Sequence, residues 1–187
     1  VDCDSHVMEP PDLWQRYLER EFRDRAIRIE RVDGVEHLII GETTVLQGVL
    51  AALGGAHRNR AELFAPGLDY RDGCEPASYE PRARAELLDR WQVDYGVLFP
   101  TIGILPFPVD DQALANAYCR AYNRWQREFF EAIPRRVVPI ALVNWHDVTA
   151  AAAELKACID AGFRGGFLEI SGGQMFPLHS KSPWCKK

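Results

Sequence analysis

The stretch PRARAELLDRWQVDYGVLFP, residues 81–100, decides the fold. Its first part, Pro81 to Val93, spaces Ala83, Leu87, Leu88 and Trp91 along one helical face, behind a proline suited to a helix start. Its second part, Tyr95 to Phe99, is an unbroken apolar run stopped by Pro100. A strand without polar alternation is covered on both faces, and a helix feeding such a strand is the unit of a parallel sheet.

The unit repeats toward the carboxyl end. Asp110 to Ile133 reads as a long helix with Leu114, Ala117, Tyr118, Ala121, Trp125, Phe129 and Ile133 on one stripe. Val137 to Val143 is the next apolar run, and Asp147 to Ala161 is an Ala-rich helix ended by Gly162. Gly166 to Ile170 is a further run, closed by Ser171-Gly172-Gly173. Toward the amino end, Val1 to Ser5 reads as a strand and Asp12 to Arg20 as a helix carrying Leu13, Trp14, Tyr17 and Leu18. Ala26 to Glu30 and Glu36 to Ile40 alternate around Asp33-Gly34, a hairpin signal. Gly41 to Gly73 loses periodicity and is expected to be helical around Thr44 to Leu53. The class is therefore α/β, with right-handed crossovers and an insertion over residues 26–73 after the first strand.

Composition narrows the function. The 187 residues carry 22 Lys plus Arg against 27 Asp plus Glu, a formal net charge of −5. That balance, without a long basic run, argues against a nucleic-acid or membrane-surface partner. No apolar run approaches the roughly 18 residues of a membrane span. The chain opens directly on Val1-Asp2-Cys3-Asp4, with neither an initiator Met nor a signal-peptide pattern, and its widely spaced cysteines fit a reducing compartment, so the cytoplasm is the expectation. Cys3, Cys74, Cys119, Cys158 and Cys185 form no C-x-x-C pair and are expected to be free thiols. The absence of G-x-G-x-x-G, Walker and G-x-S-x-G motifs argues against nicotinamide enzymes, P-loop NTPases and α/β-hydrolases.

In parallel α/β folds, ligands bind at the carboxyl ends of the strands. The first strand ends in Asp4-Ser5-His6, with Glu9 beyond it. Two residues apart on a strand, Asp4 and His6 point to the same face, so a carboxylate oxygen and an imidazole nitrogen can share one divalent ion. A surface Asp beside a loop His is the plainer alternative. Glu9 offers a partner behind that pair, a carboxylate facing substrate, or a charge favourable at the next helix start. His146 is a candidate base or an ordinary loop residue, Asp147 an N-cap, and Glu169 a carboxylate at the end of the fourth strand. Arg164 reads as solvated, His57 lies in a basic H-R-N-R loop that is either solvated or an anion site, His37 and His179 have no visible partners, and Tyr118, Tyr122, Trp125 and Phe129 read as core.

The opening Asp2-Cys-Asp-Ser-His-Val-Met-Glu-Pro-Pro-Asp-Leu-Trp14 resembles that of amidohydrolase-related proteins, the branch of the amidohydrolase superfamily that includes aminocarboxymuconate-semialdehyde decarboxylase. Tyr95–Thr101, Ala121-Tyr-Asn-Arg-Trp125, Arg136–Ala141 and Gly162–Phe167 resemble the same family. The resemblance implies a (β/α)8 TIM barrel, of which this chain holds about the first four βα units. It implies one divalent metal, zinc ahead of manganese, held in part by Asp4 and His6. It also implies decarboxylation or hydrolysis of a small carboxylic or aromatic acid, and a homo-oligomer at full length. Glu9, Trp14 and Glu169 are then the substrate-side candidates. The further metal ligands and the acid–base residue belong to later strands, beyond Lys187. A non-catalytic half-barrel and a metal-independent binding module remain alternatives.

Overall fold

The computed structural model describes residues 1–55, 57–63, 67–105, 107 and 110–168. Four strands, β1 (Asp2–His6), β5 (Gly96–Phe99), β6 (Val137–Val143) and β7 (Gly165–Leu168), form one sheet in the order β1-β5-β6-β7. Every pair is parallel. The connections carry helices α4 (Pro81–Arg90), α5 (Gln112–Ala132) and α6 (Val148–Asp160). This is a curled half of a (β/α)8 barrel. Along β5 and β6, buried Gly96, Leu98, Val137, Pro139 and Ala141 alternate with half-buried Val97, Phe99, Val138 and Ile140. The second set belongs to the inner face, where the Phe99 and Phe167 rings meet edge to face at 6.2 Å.

Between β1 and β5 lie the short α1 (Leu13–Tyr17) and an antiparallel sheet of β2 (Arg28–Val32), β3 (Val35–Ile40) and β4 (Thr43–Gln47). At the β2–β3 turn, Asp33 (φ 50°) and Gly34 (φ 83°) adopt the positive φ values that a tight hairpin requires. β4 corrects the expectation of a helix around Thr44. The run Thr43-Thr44-Val45 is β-branched and stiff at χ1, and it pairs with β3. Only Leu50–Gly54 turns, as a π-helical segment. The short α2 (Arg60–Leu63) and α3 (Tyr70–Gly73) follow.

The core lies between the sheet and α5. Trp14, Tyr118, Tyr122, Leu114, Leu98 and Leu142 are almost wholly buried in it. The Trp14 ring meets Phe107 at 6.4 Å and Tyr118 at 5.8 Å, both edge to face. The Ala121–Trp125 segment divides its work along the helix: Tyr122 and Trp125 pack, Arg124 bonds the Tyr17 carbonyl and Glu19, and Asn123 reaches the sheet. β5 pairs with β6 only as far as Leu98↔Pro139. Past that point Asn123 takes the place of a strand: its Oδ1 accepts from Leu142 N at 2.8 Å and its Nδ2 donates to Leu142 O at 2.9 Å.

No helix among the described residues is long and apolar enough to cross a membrane. Cys74, Cys119 and Cys158 are buried and Cys3 is exposed, and burial pushes the Cys74 and Cys158 thiols up to about 12.

Asp111 and Asp147 cap α5 and α6 by accepting from Leu114 N and Ala150 N, each at 3.0 Å. Those amides, with Arg25 for Asp111 and Asn116 for Asp147, hold both carboxyls below the usual range. A depressed folded pKa gives stability that is complete above the ordinary Asp value of about 3.9 and is lost as pH falls through the folded value. Thermal melts from about pH 5 down to about pH 2 should therefore fall more steeply for the native chain than for the Asp111→Asn, Asp147→Asn double variant. Equal slopes would remove the caps from the acid response.

Candidate functional site at the carboxyl end of the first strand

β1 is not a regular ladder. Its register to β5 shifts between Asp2 and Ser5, and Asp2 accepts hydrogen bonds from Ser5 Oγ and, at 3.1 Å, from Asp4 N. The Ser5 hydroxyl first, and the Asp4 amide next, hold the Asp2 carboxyl below its usual range. This local turn leaves Ser5 buried and presents Asp4 and His6 outward, with side chains 90% and 41% exposed. Asp4 Oδ1 lies 3.7 Å from His6 Nε2.

The other side of the His6 ring is fixed. Nδ1 lies 2.7 Å from the Pro100 carbonyl, with Thr101 Oγ1 at 3.4 Å. A carbonyl only accepts, so Nδ1 carries a proton, and Nε2 is the ring nitrogen turned toward Asp4. A carbonyl behind an imidazole is the usual arrangement behind a metal-binding His. The main chain is held as well: Val7 N donates to Phe99 O at 3.0 Å, and Arg84 of α4, 6% exposed, donates from Nη2 to the His6 carbonyl at 2.5 Å.

The other expected site residues are placed as follows. Glu9 is wholly buried, and its carboxylate accepts from the amides of Thr101, Ile102 and Gly103. Trp14 is wholly buried in the core beneath α5. Glu169, His179 and Cys185 lie outside the described residues. His146 stacks on Trp145 with centroids 3.9 Å apart, and its Nε2 is buried without a hydrogen-bond partner among the described residues. Asn144, at the end of β6, steadies that loop by bonding Gln112, Asn116 and the His146 amide. His37 is half-buried on β3, His57 Nε2 lies 4.0 Å from Glu75, and Arg164 is exposed. The β1–α1 loop and the end of the insertion meet in a cleft of about 470 Å³, between Pro10–Asp12 and Tyr70–Asp72, to which neither Asp4 nor His6 contributes.

Among the described residues no group of three or more His, Cys, Asp or Glu side chains could hold a metal. The donor chemistry of the Asp4–His6 pair nevertheless suits one. Two donors each about 2.1 Å from a zinc ion lie at most about 4.2 Å apart, and the observed 3.7 Å is within that limit. Sequence reasoning missed Arg84, Pro100 and Asn144. Arg84 carries a faint signal, a charge on the apolar side of α4, whereas the Pro100 carbonyl carries none.

Fold and site together define the class, a partial (β/α)8 barrel with polar donors at the carboxyl end of its first strand. No family model matches the chain, and no curated protein does. Among solved structures it is similar to an amidohydrolase from Mycobacterium avium subsp. paratuberculosis, with TM-score 0.66 and 20% identity, covering 89% of this chain and 48% of that one. It is also similar to 2,6-dihydroxybenzoate decarboxylase complexed with 2,6-dihydroxybenzoate (TM-score 0.47, 19% identity, 90% of this chain and 37% of that one). A 2,6-dihydroxybenzoate decarboxylase from Rhizobium gives TM-score 0.45 and 17% identity, over 89% of this chain and 37% of that one. The chain thus spans about half the length of the amidohydrolase and just over a third of the decarboxylases.

Proposed function

We propose that this chain carries the metal-binding first strand of an amidohydrolase-superfamily enzyme that decarboxylates or hydrolyses a small carboxylic or aromatic acid. One observation carries the reading: the Pro100 carbonyl fixes the His6 tautomer that turns Nε2 toward Asp4. The fold shared with an amidohydrolase and the Asp-x-His opening support it. Asp4 and His6 would hold the ion, with zinc ahead of manganese for a carboxylate–imidazole pair. A bound ion of this kind supplies Lewis-acid polarisation of a carboxylate or hydroxyl, or acidifies a water.

The chain's own residues have simpler tasks. Asp4 contributes a carboxylate oxygen and His6 an imidazole nitrogen at the open end of β1. Phe99, whose ring centroid lies 6.0 Å from that of His6, supplies an apolar wall suited to an aromatic acid. Three protein ligands are typical of a catalytic zinc site, so the whole enzyme needs at least one more.

Cobalt or zinc titration of the chain tests the reading. The native protein is expected to take one equivalent, and Asp4→Ala and His6→Ala each to weaken binding by about 100-fold or more (about 2.7 kcal/mol). Equal affinity in all three proteins, or no binding by the native chain, sinks the assignment.

A further inference from the structure

Glu9 has a fully buried carboxylate that forms no ion pair among the described residues. Its oxygens accept from Thr101 N at 3.1 and 3.3 Å, Ile102 N at 2.8 Å and Gly103 N at 3.0 Å, across more than ninety residues of chain. These three amides directly follow Pro100, whose carbonyl receives the His6 Nδ1 proton. The segment that leaves β1 after His6 thus crosses to β5 and grips the turn that in turn grips His6.

We infer that Glu9 is a positioning residue: by clamping the 101–103 turn it aims the Pro100 carbonyl at His6 Nδ1, and so fixes the ring with Nε2 toward Asp4. Arg84 and the Phe99 carbonyl hold the main chain around His6, and the Phe99 ring, 6.0 Å from the imidazole, packs beside it without bonding either ring nitrogen. The ring itself depends on Pro100, with the weaker Thr101 contact beside it. Ionised, Glu9 makes charge-assisted bonds to fixed backbone donors, and these are stronger than neutral ones. Burial raises its pKa and the amides oppose that rise. A group whose burial is costly and whose donors are all backbone serves that backbone, and the backbone it serves ends on His6. This inference rests on reading Asp4 and His6 as a ligand pair, but its first measurement does not.

The test is long-range 1H–15N NMR of the imidazoles in the metal-free chain, with His6 assigned by the loss of its signals in His6→Gln. The native protein is expected to show His6 in the Nδ1–H tautomer. Glu9→Gln, which turns a donor toward one of the three amides, should shift it toward a mixture of tautomers. Gly103→Ala provides an independent route that leaves Glu9 intact. A methyl there would sit 2.8 Å from Pro100 Cβ and 2.7 Å from Leu142 Cδ2, so Pro100 must move. It should shift the same signals even if Glu9→Gln fails to fold. Both variants should also bind zinc about 10–100-fold more weakly, the usual cost of losing support behind a ligand. An unchanged His6 tautomer in a folded variant, or an Nε2–H native ring, overturns the inference. A native chain that binds no zinc while its tautomer responds as expected overturns the ligand reading and leaves the positioning role standing.

Discussion

Asn123→Ala is expected to lower the unfolding free energy of the chain by about 3–5 kcal/mol, a large share of a typical domain's 5–15 kcal/mol. The side chain is 4% exposed and makes three bonds: both main-chain groups of Leu142 and, at 2.8 Å, the Glu154 carboxylate. Alanine strands a buried N–H and a buried C=O of β6, and each costs about 1–3 kcal/mol when unpaired. The loss falls where the sheet has no β5 residue to offer in exchange. Urea unfolding with an unchanged m value measures it. Asn123→Asp separates the two groups, because it can still accept from Leu142 N but no longer donates to Leu142 O. A loss below about 1 kcal/mol for Asn123→Ala would mean that water replaces the amide and that β6 is held by packing alone.

Trp14→Ala is expected to cost about 3–5 kcal/mol, the range for removing a buried aromatic side chain. Trp14 has no exposed surface and is set edge to face between Phe107 and Tyr118. Phenylalanine should recover part of the loss, because it keeps the edge-to-face contact with less volume. Thermal unfolding decides the point. If Trp14 instead serves a bound acid, alanine leaves the melting temperature nearly unchanged and weakens ligand binding alone.

Trp14 also shows where sequence reasoning stops. Its helical spacing with Leu13, Tyr17 and Leu18 is visible in the letters, but the ring's partners, Phe107 and Tyr118, are remote in the chain. The parallel strands and the helices α4, α5 and α6 are legible because apolar runs, helical stripes and the Asp147 cap are local signals. Thr43–Gln47 is not, because Val45-Leu46 and the later Val49-Leu50 suit a helix as well as a strand until pairing with β3 decides. In the candidate site, the Asp4–His6 spacing is local and readable. The role of Glu9 is not, since backbone amides of residues 101–103 leave no mark on residue identity. A buried glutamate and a substrate-facing one look alike in sequence.

The parts that orient His6 are early parts. Glu9, Pro100 and the three amides up to Gly103, which fix the ring, and Arg84, which holds its main chain, all precede α5 in the chain. In a protein made from its amino end, and folding as it emerges, every piece of this frame leaves the ribosome before β6 does. Every bond to the His6 ring and main chain described above is thus encoded before β6, so the later strands add to a frame whose parts are already present.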